Sequence, residues 1–273
     1  MRRFGLILAI LVVFAPLAAH AAPKAELWER WAKHDEASTR TVDHSAWAAF
    51  LDKYLVRVKN GPNLIRYGQV GAADKTALGT YINMLAATPV STLKRAEQKA
   101  FWINLYNALT VQVILEHYPV KRILDIDISP GFFAVGPWGK KLIKVEGEDI
   151  SLDDIEHRIL RPIWNDPRVH YAVNCASMSC PELQPVPFTA AATDAMLDAA
   201  ARTYIAGGWG IWFDGGELGA SSIYKWYGRD FGNDDEAIIA HFKHYASPAL
   251  KAKLDTVHEI SVYTYDWSLN EAK

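Results

Sequence analysis

Apolar positions divide the chain into a helical first half and a mixed second half. Over residues 25–58, Trp28, Trp31, Trp47, Phe50, Leu51 and Tyr54 recur at spacings of three and four, which predicts a pair of amphipathic helices ended by Asn60-Gly61-Pro62. A further helix is expected over 73–86, stopped by Pro89. From Leu93 to His117 there is no Gly or Pro, and Phe101, Trp102, Ile103, Leu105, Leu109, Val111, Val113, Ile114 and Leu115 point in nearly all directions around a helix. A helix apolar on every side is buried on every side, so this segment is expected to be the central helix.

Beyond Pro119 the pattern shortens. Residues 123–128 and 142–145 read as short strands, separated by a loop of Gly, Pro and aromatic residues. Ser151 followed by Asp154 reads as a capped helix start, and Arg161-Pro162 as its end near Leu160. Residues 169–174 read as a strand, 189–205 as a helix, and 211–218 as a hairpin around Asp214-Gly215-Gly216. A helix over 233–245 and a strand over 260–265 complete the chain. Helices first, then strands mixed with helices, define an α+β domain.

The N-terminus changes the reading of compartment. Arg2 and Arg3 precede an apolar run over residues 5–17, and Ala19-His20-Ala21 fits the small-x-small cleavage pattern. Residues 1–21 are therefore expected to be a cleaved signal peptide, with 22–273 a single exported domain, periplasmic or secreted. The run is too short for a bilayer span of roughly 18 to 20 residues. No later stretch is long and apolar enough, so no membrane association is expected after removal. The formal net charge is -2, and losing the two positive charges of Arg2 and Arg3 takes it to -4. With no dense basic stripe, nucleic acid is not an expected partner.

The candidate chemistry centres on the two cysteines, Cys175 and Cys180, in VNCASMSCPE. In an oxidising compartment a disulfide is the ordinary fate of neighbouring thiols, and so short a loop contributes about 2 kcal/mol on the chain-entropy model. The other reading is a reactive thiol at Cys175, with Cys180 as resolving partner or bystander. Four intervening residues do not match the two of a thioredoxin-type C-x-x-C. Two thiolates alone do not fill a tetrahedral shell, so no metal is expected, and no cofactor is implied.

A nucleophilic cysteine needs a base and an orienter. If residues 170–175 are extended, His170 faces away from Cys175, which leaves His157 as the candidate base. Glu156 falls on the apolar face of the helix carrying His157, where a carboxylate must be paired or shift its pKa. Paired with Arg161 it is a structural anchor; otherwise it orients a histidine or acts as acid or base. Asn104 and Asn107 share a flank of the central helix. There they serve either a structural network or a polar pocket floor that orients an imidazole.

The strings KAFWINLYNALTV, DISLDDIEHRILRP, HYAVNCASMSCPEL, KWYGRDF and YDWSLN resemble, in order, the bacterial branch of the family called domain of unknown function 547. They run from about Lys94 to Asn270. The residues that carry the resemblance are Asn104, Asn107, Glu156, His157, Arg161, Cys175, Cys180, Pro181, Trp226, Asp230, Asp266 and Trp267. The resemblance implies kinship without an established activity; some eukaryotic relatives joined to glutaredoxin-like or helical dimerisation segments hint at thiol chemistry or scaffolding. The order of elements is also similar to a papain or transglutaminase fold, with a central helix on a small, mainly antiparallel sheet. This chain has no cysteine on that helix.

Two functions follow. One is a cysteine-dependent acyl-transfer or thiol-exchange enzyme, with Cys175, His157, Glu156 and Asn104 catalytic and Asn107, Arg161, Trp226 and Asp230 in binding. The other is a binding or scaffolding domain with a structural disulfide. The aromatic residues over 209–231, with Phe132, Phe133 and Trp138, suit a groove for a small-molecule or peptide ligand.

Overall fold

The computed structural model describes residues 23–131 and 134–273, so the expected signal peptide lies outside the described residues, as do Phe132 and Phe133. In chain order the elements are α1 (Ser45–Tyr54), β1 (Leu55–Val56), β2 (Leu64–Ile65), α2 (Ala72–Ala86), α3 (Arg95–His117), β3 (Ile143–Val145) and β4 (Glu148–Ile150). A π-helix (Asp154–Leu160) running directly into α4 (Arg161–Trp164) follows. Then come α5 (Thr193–Ala206), β5 (Ile211–Asp214), β6 (Glu217–Ser221), α6 (Ile223–Trp226), α7 (Asp235–Tyr245), α8 (Pro248–Leu254) and β7 (Val262–Thr264). The fold is α+β, as its pattern predicts.

Helix α3 is the buried centre. Every residue from Glu97 to Val111 is buried, and its neighbours are α2, the π-helix and α5. The sheet β5-β6-β7 joins an antiparallel hairpin to a parallel third strand. It belongs to a second apolar core, with Tyr204, Tyr224, Phe231 and Phe242. No described helix is long and apolar enough to cross a membrane.

Four local readings are corrected. Of the pair expected over 25–58, only α1 is an α-helix. Residues 33–44 are tied into Asx turns, with Asp35 accepting from the Ala37 amide (3.0 Å) and Asp43 from the Ser45 amide (2.8 Å). The strand expected over 123–128 is a 3₁₀ turn (Ile123–Asp125), closed by Arg122 on Asp125 at 2.6 Å. The strand expected over 169–174 is also a 3₁₀ turn (Pro167–Tyr171), capped by Asp166 on the Arg168 amide at 3.0 Å.

The fourth correction concerns Pro162. The helix begins as expected, with Ser151 and Asp154 capping each other. It does not stop at Arg161 but continues to Trp164, ended by Asn165 in the left-handed region (φ 46°). Pro162 has no N–H to return to the preceding turn. The carbonyls of His157 and Arg158 accept instead from the backbone amides of Glu26 and Trp28, each at 3.0 Å. The N-terminal segment is thereby strapped along the helix, and the Arg161 guanidinium holds the Pro23 carbonyl at 2.7 Å.

Candidate active site

The two cores meet at a cleft of about 800 Å³. Its lining includes Glu156, His157, His170, Cys175, Trp226 and Tyr265. The size falls within the range of about 300–1,000 Å³ usual for small-ligand sites.

The cysteine segment is a closed loop. The Asn174 side chain donates to the Pro181 carbonyl (2.8 Å) and accepts from the Ala176 amide (2.9 Å). Asn107, on α3, clamps the loop's entry by donating to the Ala172 carbonyl and accepting from the Asn174 amide, both at 2.9 Å. The C-terminal motif clamps the other side. Met178 and Ser179 donate their amides to the carbonyls of Ser268 and Asp266. Ala176 is left with φ 58°, a conformation non-glycine residues rarely adopt.

Both cysteines are free thiols, which overturns the expected structural disulfide. The turn sets the Cys175 amide against the Cys180 sulfur, with N–H···Sγ at 3.0 Å. The Cys175 sulfur lies 3.1 Å from the Ser177 hydroxyl and 3.1 Å from the Tyr265 hydroxyl. Ser177 donates to Tyr265 at 2.9 Å. Burial pushes the Cys175 thiol up, and Glu156 adds repulsion, but hydrogen bonds from Cys180, Ser177 and Tyr265 outweigh both and hold it below its ordinary pKa. Cys180 is 3 % exposed, and burial together with Cys175 pushes its thiol well above the ordinary value.

The same cleft is bordered by a buried ionic network. Arg161 grips Asp230 through two nitrogens, at 2.6 and 3.1 Å. His170 sits between Asp230 (Nε2 to Oδ2, 2.7 Å) and Glu156 (Nδ1 to Oε1, 3.5 Å). Both ring nitrogens face carboxylates and can donate to both only as imidazolium. Burial pushes His170 down, yet Asp230 and Glu156 outweigh it and hold its pKa above the ordinary value. Its ring stacks on Tyr227 with centroids 4.1 Å apart. Tyr106 of α3 donates to Glu156 at 3.2 Å. Burial would raise the Glu156 and Asp230 carboxyls, but the surrounding histidines and Arg161 hold both well below the carboxylate range.

His157 is held differently. Arg161 can only donate, so its contact with His157 Nδ1 (3.0 Å) makes that nitrogen the acceptor. The neutral ring then carries its proton on Nε2, facing Asp153 at 3.5 Å. Burial, reinforced by Arg161 and His170, pushes His157 down to about 4. Asp153 is pushed up to about 6 by burial and by repulsion from Glu156 and Asp154.

The candidate residues named from sequence thus separate. Glu156, His157, Cys175, Cys180 and Trp226 line the cleft. Arg161 and Asp230 stand behind the histidines, around a smaller hollow with Asn165 and Asp166. Asn107 positions the cysteine loop without lining the cleft. Asn104 does not orient a histidine: its amide donates to the Phe188 carbonyl (2.8 Å) and accepts from the Phe188 amide (3.0 Å). Trp226 belongs to a row of rings along the cleft, stacking on Trp267 at 5.5 Å and lying 4.8 Å from Tyr265.

Tyr265, Ser177 and Asp153 are site residues that the residue pattern did not single out, and His170 is one that it set aside as facing away. His170 faces the cleft because the 3₁₀ turn replaces the expected strand. Asp166-Pro167, a helical N-cap followed by Pro at the first position, is the signal that marks that turn. Tyr265 and Ser177 meet only through tertiary packing. Among the described residues no group of His, Cys, Asp or Glu is disposed to hold a metal ion.

Fold and site together define an α+β domain with a thiol-bearing cleft backed by a buried ionic network. Residues 90–205 match the family model described as "Protein of unknown function, DUF547". This supports the resemblance carried by the motifs over α3, the π-helix and the cysteine loop. No curated protein and no solved structure matches the chain.

Proposed function

We propose that this chain is an exported, cysteine-dependent enzyme in which Cys175 is the nucleophile. The observation that carries the reading is the half-buried Cys175 thiol, lining the cleft with two hydroxyls at 3.1 Å from its sulfur. Hydroxyl donors favour the thiolate, the form that attacks. Such a thiol needs no separate base to be activated, which fits two histidines whose ring nitrogens are already engaged. The row of Trp226, Tyr265 and Trp267 suits an apolar or aromatic part of a small-molecule or peptide substrate. The basic, apolar and small-residue pattern of residues 1–21 supports export to the periplasm or beyond.

Alkylation with limiting iodoacetamide at neutral pH, read by peptide mass spectrometry, tests the proposal. Cys175 is expected to label before Cys180 and faster than glutathione at the same pH. Replacement Cys175→Ser removes the labelling and leaves the unfolding midpoint near that of the parent. Labelling of Cys175 slower than glutathione would overturn the proposal. A non-catalytic binding domain is the second reading, favoured by the same saturated histidines. It is distinguished by a Cys175 that labels slowly in a folded, ligand-binding protein.

A further inference from the structure

We propose that Cys180 is the resolving thiol for Cys175, which makes the substrate a disulfide or mixed disulfide rather than an acyl compound. This rests on Cys175 being the nucleophile.

Two features of the loop argue against acyl transfer. Such chemistry needs a donor for the developing oxyanion, commonly a backbone N–H near the nucleophile. The Cys175 amide is instead spent on the Cys180 sulfur at 3.0 Å, and the Ala176 amide on Asn174 at 2.9 Å. Acyl transfer also needs an imidazole free to pass a proton to the leaving group. His157 Nδ1 accepts from Arg161, its Nε2 faces Asp153, and His170 lies between two carboxylates.

Disulfide exchange needs neither device, only a second thiol within reach. The loop supplies one. Asn174 joins its two ends, and the Cys180 amide donates to the Ser177 carbonyl at 3.1 Å, so the turn folds Cys180 back beneath Cys175. Ala176, in the left-handed region, directly follows Cys175. That strained residue lies between the two thiols, where the loop must adjust for their sulfurs to bond.

The chemistry balances as follows. The Cys175 thiolate attacks one sulfur of a substrate RS–SR′, forming Cys175–S–SR and expelling R′S⁻. Cys180 gives its proton to the departing thiolate and attacks the Cys175 sulfur. The Cys175–Cys180 bond forms and RS⁻ leaves. The substrate gains two electrons, the pair loses two, and a dithiol co-reactant restores it. The order of steps is built in. While Cys175 is a thiolate, its charge and hydrogen bonding help burial to keep Cys180 protonated. Conversion to a neutral mixed disulfide removes that repulsion and frees Cys180 to react.

The test uses the reduced mature protein and the chromogenic aromatic disulfide dithiobis(nitrobenzoate). Released thiol is counted by absorbance, and the acid-quenched protein is weighed by mass spectrometry. Wild type is expected to release two equivalents per chain and to keep no adduct. Cys180→Ser and Cys180→Ala are expected to release one equivalent and to keep the adduct. If wild type instead stops at one equivalent with a stable adduct on Cys175, the inference is overturned and the nucleophile reading stands. If Cys175 reacts no faster than free cysteine, the nucleophile reading falls as well. Should both Cys180 variants fail to fold by circular dichroism, the wild-type stoichiometry decides.

Discussion

Tyr265→Phe removes one of the hydroxyls that face the Cys175 sulfur and little else. The ring remains to pack 4.6 Å from Trp267 and 4.8 Å from Trp226. A hydrogen bond to a charged group contributes about 1.5–3 kcal/mol, and one pKa unit corresponds to about 1.4 kcal/mol. Full loss would therefore raise the thiol by about 1–2 units. Ser177, however, lies 2.9 Å from the Tyr265 hydroxyl and 3.1 Å from the sulfur, with one proton shared between the two hydroxyls in the intact protein. Once Tyr265 is gone it is free to donate to the thiolate, so the expected rise is nearer about 1 unit. Below both midpoints this means about tenfold less thiolate. Each remaining thiolate is more nucleophilic by roughly threefold, from a Brønsted slope of about 0.4–0.5. The net loss in alkylation rate is about threefold. The assay is the pH dependence of Cys175 alkylation, mapped by mass spectrometry. A midpoint that stays put or falls would refute the assignment of Tyr265 as a thiolate donor.

Asn107→Ala strands the Ala172 carbonyl and the Asn174 amide, both buried; at about 1–3 kcal/mol for each lost partner, a destabilisation of about 2–6 kcal/mol is expected in urea unfolding. Stability should also fall as pH drops from about 6.5 towards 4. His44, His157 and His241 are each held neutral in the fold, pushed down to about 4 mainly by burial, and must charge on unfolding. Each removes on the order of 1–2 kcal/mol by pH 5, since the unfolded chain binds protons the folded one refuses. The carboxyls of Asp153 and Glu182, both raised by burial, run the other way, while the contribution of the raised His170 is already complete below 6.5; two groups stand against three. Urea midpoints at pH 7 and pH 5 check the sign, and a higher midpoint at pH 5 would contradict it. Glu26→Pro removes the amide that donates to the His157 carbonyl and should cost about 1 kcal/mol, whereas Glu26→Ala, at an exposed side chain, should cost almost nothing.

How legible the molecule is from its residues varies with the kind of signal. Helix α3 is plain because its apolar residues cover the whole wheel, and Ser151 with Asp154 marks the start of the next helix correctly. The π-helix is not legible. Pro162 ordinarily ends a helix, and only the distant amides of Glu26 and Trp28 reveal how its carbonyls are satisfied. Val169, Tyr171, Ala172 and Val173 have strand-like composition, which hides the turn that Asp166-Pro167 begins and removes His170 from consideration. Asn104 and Asn107 show themselves as buried amides needing partners, but not which partners; both bind loop backbone. Cys175 and Cys180 are obvious as a pair. That their sulfurs are unbonded, and that Tyr265 sits beside one of them 90 residues away, belongs to tertiary packing alone.

The central claim is that Cys175 is a thiol tuned towards thiolate by its neighbours. Its pKa can be read without any reagent from the ¹³Cβ shift of selectively labelled cysteine, followed by NMR across pH. The expected result is a Cys175 midpoint below the ordinary thiol value of about 8.5, with Cys180 still protonated at that pH. A Cys175 that titrates at or above the ordinary value would contradict the account.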